Sequence, residues 1–282
     1  TGESYEIIFV NDDSRDKTLE IAREICKKDK NIKLVSFSRN FGHQAAITAG
    51  MEYSSGRAII VIDADLQDPP EVILKMIEKW KEGFDVVYGK RVKRKGETFF
   101  KKASAKAFYR LLKRMADVKI PVDAGDFRLI DRKVCDALKR LPERNRYVRG
   151  LISWLGFRQT GVEFVREERF AGETKYPLKR MLKFAFDGLV SFSHKPLKLA
   201  AYIGITISSL SFIYLLVVVC KKLFTDSVTP GWASIVAISL FFNGVILVTL
   251  GIIGEYVGRI YDEAKGRPLY VINEKSGFEE NG

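Results

Sequence analysis

Two runs without a formal charge, Leu199 to Cys220 and Gly231 to Gly254, dominate the last third of this 282-residue chain. At ~1.5 Å per residue each can cross a hydrocarbon core of about 30 Å as a helix. Neither contains the Asp, Glu, Lys or Arg that lipid disfavours by roughly 2.5 to 3.5 kcal/mol at mid-helix. They predict a two-helix transmembrane hairpin behind a water-compatible region of 198 residues, which is enough chain for one good core.

The net charge of +12 is unevenly placed. From Leu199 onward six basic residues face seven acidic ones, so the first 198 residues carry +13. Such a surplus suits phosphorylated substrates, anionic headgroups or nucleic acid. No RNA-binding or helix-turn-helix signature is present, and beside two apolar spans lipid and phosphate are the better match. Cys26, Cys135 and Cys220 are far apart and lack metal-ligand spacing, which supports neither a disulfide framework nor a zinc site and fits reduced thiols in a domain facing the cytosol. Positive-inside counting places the basic region in the cytosol, and two spans return Arg259, Lys265 and Arg267 to the same side. Lys221 and Lys222 fall on the short external loop, where long side chains reach headgroups.

Tyr5–Asn11, Ile32–Ser38, Ala58–Asp63 and Phe84–Tyr88 are short runs rich in Ile, Val and aromatics, the pattern of strands buried on both faces. Lys17–Lys28 alternates with them as an amphipathic helix. A second follows Pro69-Pro70, with Asp68 as N-cap, Val72, Ile73, Met76, Ile77 and Trp80 on one face, and Gly83 at its end. Strand, helix, strand, helix predicts an α/β fold with a doubly wound, mostly parallel sheet, whose ligands bind beyond the carboxyl ends of the strands. Asn11-Asp12-Asp13 and Asp63-Ala64-Asp65 then share one rim. Further basic amphipathic helices are expected from Glu97 to Arg114 and, lying in the membrane interface, from Leu178 to Phe192.

Asp63 and Asp65 end a strand one residue apart, hard oxygen donors that suit Mg2+ or Mn2+ or equally a solvated turn. The wider run Asp63-Ala64-Asp65-Leu66-Gln67-Asp68-Pro69-Pro70 resembles the D-x-D-x-Q-x-P-P signature of family 2 glycosyltransferases, in the branch of polyprenyl-phosphate glycosyltransferases and dolichyl-phosphate mannose synthases. Val10 to Thr18 is similar to that family's V-N-D-G-S-x-D-x-T turn, Ser38 to Ala46 to its S-R-N-F-G-x-x-x-A segment, and Gly125 to Leu129 to its G-D-F-R-L motif. Arg169 to Tyr176 resembles its R-x-x-G-x-[ST]-K-Y loop, and Gly254 to Tyr261 its G-E-Y-[LV]-G-R-[IV]-Y run.

The resemblance implies a glycosyltransferase A-type fold and metal-dependent transfer of one sugar from a nucleotide sugar to a polyprenyl phosphate. By motif position, Asp12 contacts the base of the nucleotide, Asp63 and Asp65 hold the metal and diphosphate, and Gln67 lies near the sugar. Arg169 and Lys175 close over the diphosphate. Asp126 is the candidate catalytic carboxylate, and Arg128 faces the acceptor phosphate. The basic stretch Lys90 to Lys113, with Arg91 and Lys101, is either a solvated face or a surface that guides the lipid phosphate. Asp13 stands in the place of the usual Gly, and the family's first strand has no counterpart before Thr1.

The domains expected are 1–176 as the cytosolic transferase, 177–198 as an interfacial helix, 199–254 as the hairpin and 255–282 as a cytosolic tail, all at the plasma (inner) membrane. UDP-glucose with undecaprenyl phosphate is the first choice of substrates and GDP-mannose the alternative. A processive polysaccharide synthase would carry Q-x-x-R-W and more spans; a non-catalytic membrane adaptor would leave the Asp12, Asp63, Asp65 and Gln67 set without purpose. Gly and Ser positions in both spans permit close packing, within the hairpin or between copies as a homo-oligomer.

Overall fold

The computed structural model describes residues 2–91, 121, 124–165, 195–225 and 231–278. The chain divides into two units, Thr1–Gly188 with Arg267–Gly282, and Leu189–Gly266. The predicted helices over Glu97–Arg114 and Leu178–Phe192 lie outside the described residues, as do Lys101, Arg169 and Lys175.

In the first unit, β1 (Ile7–Asn11), α1 (Thr18–Lys28), β2 (Ile32–Phe37), α2 (His43–Tyr53), β3 (Ala58–Val61), α3 (Val72–Lys81) and β4 (Val86–Arg91) alternate as expected. The continuation is β5 (Ala124–Asp131), α4 (Arg132–Lys139), α5 (Val148–Trp154) and β6 (Gln159–Phe164), and the chain returns at its end as β7 (Ile272–Ser276). One sheet has the order β1-β2-β7 and another β3-β5-β4-β6. β1 and β2 are parallel, as are β4 and β6, whereas β7 runs against β2 and β5 runs against both β3 and β4. The sequence pattern marks β1 to β4 but neither of the two antiparallel members, nor β6. In β5, Asp126 and Arg128 interrupt the apolar run; β7 is the polar sequence INEKS, which pairs only because β2 offers it an edge.

β5 is the spine of its sheet. Phe127 and Leu129 meet Val87, Val162 and Phe164 of the flanking strands and Val72 and Met76 of α3 in one buried cluster, where each large side chain contributes about 1.5–3 kcal/mol. α3 ends where Gly83, at φ 94°, turns left-handed. Its start differs from expectation: the helix begins at Val72, and Asp68, rather than capping it, is 1% exposed in the preceding turn. The two carboxylate oxygens of Asp68 are buried, and Arg91 Nη2 lies 3.7 Å from Oδ1, so the turn places a charge inward where a cap would place one at the surface. α2 carries no clear amphipathic stripe, because Ala, Gly and Thr recur on all its faces, yet Ile47, Thr48, Ala49 and Met51 are buried.

The second unit contains α6 (Lys195–Thr225) and α7 (Trp232–Ala264), which touch one another. Both predicted spans are thus helical: α6 runs past its predicted limits at both ends, while α7 begins at Trp232 and continues beyond the expected end at Gly254. Among the described residues one segment, Phe241–Ala264, is long and apolar enough to cross a membrane.

Candidate active site

Strand register explains how the acidic residues meet. Val61, the last residue of β3, pairs with Arg128 of antiparallel β5. Asp63 follows Val61 by two residues and Asp126 precedes Arg128 by two, so in the antiparallel pair both carboxylates come to the same sheet end. His43, the first residue of α2, joins them: its Nε2 is 3.1 Å from Asp126 Oδ2 and 3.8 Å from Asp63 Oδ1. On the other side Asp126 Oδ1 is 3.2 Å from Arg149 Nε, and Arg149 Nη1 donates to the Ala124 carbonyl at 3.0 Å. Asp126 is therefore gripped through both oxygens, with 12% of its side chain exposed.

The electrostatics follow from that grip. Burial pushes the Asp126 carboxyl up, but the His43 hydrogen bond and the charges of Arg149 and Arg128 outweigh it and hold it below the usual carboxylate range. The same hydrogen bond raises His43, against the opposing effect of its own burial. Arg128 is 4% exposed; burial pushes its guanidinium down to about 10, still charged at neutral pH. Its Nη2 donates to the Gly125 carbonyl at 2.7 Å, while its buried Nε has no hydrogen-bond partner among the described residues.

On the β1 side, Asp12 does not project its carboxylate into open space. Oδ1 accepts from the Phe41 amide at 2.6 Å and Oδ2 from the Gly42 amide at 2.9 Å, while Asn40 Nδ2 donates to the Asp12 carbonyl. Asp12 thereby fixes the loop that leads into His43. Asn11, buried, donates to Ser36 Oγ and accepts from the Ser14 amide. Asp13 adopts φ 57°, the left-handed turn expected where the family places Gly, and a residue type that tolerates it. The two acidic clusters are thus linked, through residues 39–43, as the shared rim requires.

Asp65 Oδ1 accepts from the Gln67 amide at 3.2 Å, closing a tight turn in which Leu66 takes φ 56° and is 63% exposed. Among the described residues no group of three or more His, Cys, Asp or Glu side chains is arranged to hold a metal ion. Asp63 and Asp65 remain as two hard oxygen donors on one turn, a set that suits Mg2+ or Mn2+ if water and phosphate oxygens complete the coordination. Arg91 is not displayed as a headgroup contact: 17% of its side chain is exposed, beside Asp68, and its Nη2 lies only 2.7 Å from where a Cβ on Gly125 would stand.

Two residues of the site escape a reading by motif. Arg149 belongs to no motif, and its place depends on α5, which packs against α4 and sends the guanidinium to Ala124 and Asp126 of β5. His43 lies inside S-R-N-F-G-H-Q-A-A and is one of two histidines in the chain, which was the available signal.

The family model for Glycosyl transferase family 2 matches residues 1–139. The uncharacterized glycosyltransferase YkcC of Bacillus subtilis (strain 168) is 63% identical over 279 residues, 99% of this chain and 86% of that protein. The uncharacterized glycosyltransferase sll0501 of Synechocystis is 49% identical over 276 residues, 98% of this chain and 87% of the relative. The bactoprenol glucosyl transferase of Shigella phage SfV is 42% identical over 271 residues, 96% and 88% of the two chains. With the carboxylate turn, the β5 motif and likeness running nearly end to end, the chain belongs to glycosyltransferase family 2, as an α/β transferase of the glycosyltransferase A type.

Proposed function

We propose that the protein transfers one sugar from a nucleotide sugar, UDP-glucose by first choice, to a polyprenyl phosphate such as undecaprenyl phosphate at the cytosolic face of the membrane. The observation that carries this reading is the convergence of Asp63, Asp126 and Arg128 at one sheet end, in a chain similar over most of its length to a bactoprenol glucosyl transferase.

A phosphate monoester has its second pKa near 6, so the acceptor arrives already anionic and needs little help from a general base. That agrees with Asp126, whose oxygens are both engaged and whose carboxyl is held ionised; its work is to orient His43, Arg149 and Arg128. The buried, unmatched Nε of Arg128 is a donor that an acceptor phosphate oxygen can satisfy, and Arg149 lines the same narrow gap with Tyr88 and Gln159. Asp63 and Asp65 would hold Mg2+ or Mn2+, which when bound supplies charge neutralisation for the departing diphosphate. Arg169 and Lys175 serve the same leaving group in this reading, Gln67 lies near the sugar, and Asp12 holds the loop on the nucleotide side. The acceptor attacks the anomeric carbon in line as the diphosphate leaves, giving a β-linked product from an α-linked donor.

Membrane topology fits. β7 follows α7 in the chain yet pairs with β2, so the chain leaves the first unit before α6 and rejoins it after α7. A path that leaves and rejoins one folded unit supports an even number of crossings, as in the two-span reading.

Membranes carrying the protein, supplied with polyprenyl phosphate and a panel of UDP- and GDP-sugars, should form product from UDP-glucose. Product from GDP-mannose alone overturns the choice of donor. Asp65→Asn should abolish metal-dependent transfer and leave membrane insertion intact.

A further inference from the structure

The segment after α7 does more than close a sheet edge. Ser38 donates its amide to the Val271 carbonyl at 3.0 Å, and from Ile272 to Ser276 the strand pairs with Phe37 to Leu34. Midway along it Arg23 of α1 holds Glu274 through two nitrogens. At its near end Tyr270 occupies a position between two elements of the nucleotide side. Its hydroxyl donates to Glu52, on the last turn of α2, and its ring stacks on Phe37 of β2 with centroids 4.8 Å apart and planes 17° from parallel. Phe37 in turn meets Phe41 edge-on at 5.7 Å and 88°. Phe41 carries one of the two amides that hold Asp12, and the next residue, Gly42, carries the other.

Loop 39–42 is thus fastened from two directions. Asp12 holds its backbone, and the Phe41 ring leans on a stack whose outer layer comes from the C-terminus. Without Tyr270, Phe37 loses a stacked face and α2 loses a tie near its C-terminal end, while every group that forms the Asp12 hydrogen bonds is still present. An aromatic pair of this kind restrains geometry beyond the area it buries.

We infer that Tyr270 is a positioning residue of the nucleotide subsite, acting through Phe37 and Phe41 on the loop that Asp12 holds, so that the subsite is complete only when the segment following the apolar helix α7 has docked. This rests on the reading of turn 11–13 and loop 39–42 as the nucleotide side. A strand that merely seals the β2 edge would change global stability alone; a positioning residue changes the loop and the donor without changing the acceptor.

The test uses the full chain in detergent, comparing wild type with Tyr270→Ala, Tyr270→Phe and Arg23→Ala. The first removes stack and hydrogen bond, the second keeps the stack, and the third loosens the middle of β7 without touching Tyr270 or Phe37. Tyr270→Ala should raise hydrogen exchange of the Phe41 and Gly42 amides by about ten-fold or more and raise KM for the nucleotide sugar by about ten-fold, with kcat and the acceptor KM within about two-fold of wild type. Tyr270→Phe and Arg23→Ala should leave those two amides near wild type. If Tyr270→Ala does not fold, Phe37→Leu, which keeps an apolar side chain but breaks the stack, should show the same pattern. Unchanged exchange at 41–42 in a folded Tyr270→Ala or Phe37→Leu protein overturns the inference, as does an equal effect from Arg23→Ala. A wild-type protein that binds no nucleotide sugar overturns the functional reading instead, while the exchange measurement still decides the coupling.

Discussion

Glu6 shows how much one well-surrounded carboxylate can do away from the reaction. It accepts from the Ser55 amide at 2.6 Å, Ser55 Oγ at 2.8 Å, the Gly56 amide at 3.1 Å and Lys33 Nζ at 2.7 Å, tying the approach to β1 to β2 and to the turn before β3. Burial alone pushes its carboxyl up, but the hydrogen bonds from Lys33 and Ser55 prevail and lower it from 4.5 to about 2. A depressed acid stabilises the fold above its unfolded pKa, and that contribution fades as pH falls from 4.5 through about 2. The shift corresponds to at most about 3 kcal/mol. Thermal melts should show Glu6→Gln well below wild type at pH 7, with the gap closing progressively under acid; a gap that stays constant between pH 7 and pH 3 contradicts the assignment. None of this is visible in the sequence, where Glu6 is one acid among 35. Asp13 is the opposite case. A short polar side chain in a Gly position of a known turn motif foretells a left-handed conformation, because the requirement is local.

Among the elements, β5 carries Asp126 and Arg128 and is packed against β4 without slack. β4 has an irregularity in its pairing with β5 between Tyr88 and Lys90, and Gly89 lies there with no room for a side chain: a Cβ would stand 2.7 Å from the Phe164 ring and 3.0 Å from that of Phe127. Gly89→Ala should therefore force both rings aside and cost about 1–3 kcal/mol, read as a lowered Tm with the fold retained. Transfer activity should fall with it, since Tyr88 pairs with Arg128 across the same two strands. β1 to β4, α1 and α3 are legible in advance because period and length distinguish them. β5 and β7 are not: a strand that buries an Asp and an Arg, and a strand of alternating polar residues, form because their neighbours present an unpaired edge and counter-charges. Asp68 shows the same limit. Its position before Pro69 suggests a cap, but the nearness of Arg91 draws it inside.

For the molecule as a whole, the pairing of β2 with β7 constrains the path of everything between. If α6 and α7 both cross the bilayer, Lys222 lies toward the outer face and Lys265 toward the inner. In a background with Cys220→Ser, Lys222→Cys should react with an impermeant maleimide from outside, and Lys265→Cys only after the membrane is opened. Labelling of both from the same side in intact cells contradicts two crossings. The apolar spans, the basic first two thirds, the rhythm of strands and helices and the identity of Asp63, Asp65, Asp126 and Arg128 were all decided along the chain, since composition, periodicity and motif are local properties of consecutive residues. The pairing of His43 with Asp126, the arrival of Arg149, the inward turn of Arg91, the engagement of Asp12 with loop 39–42 and the return of the C-terminus to β2 were decided only on folding. Each depends on strand register and on which edges and charges remain unpaired once the core has formed, and residues far apart in sequence meet only there.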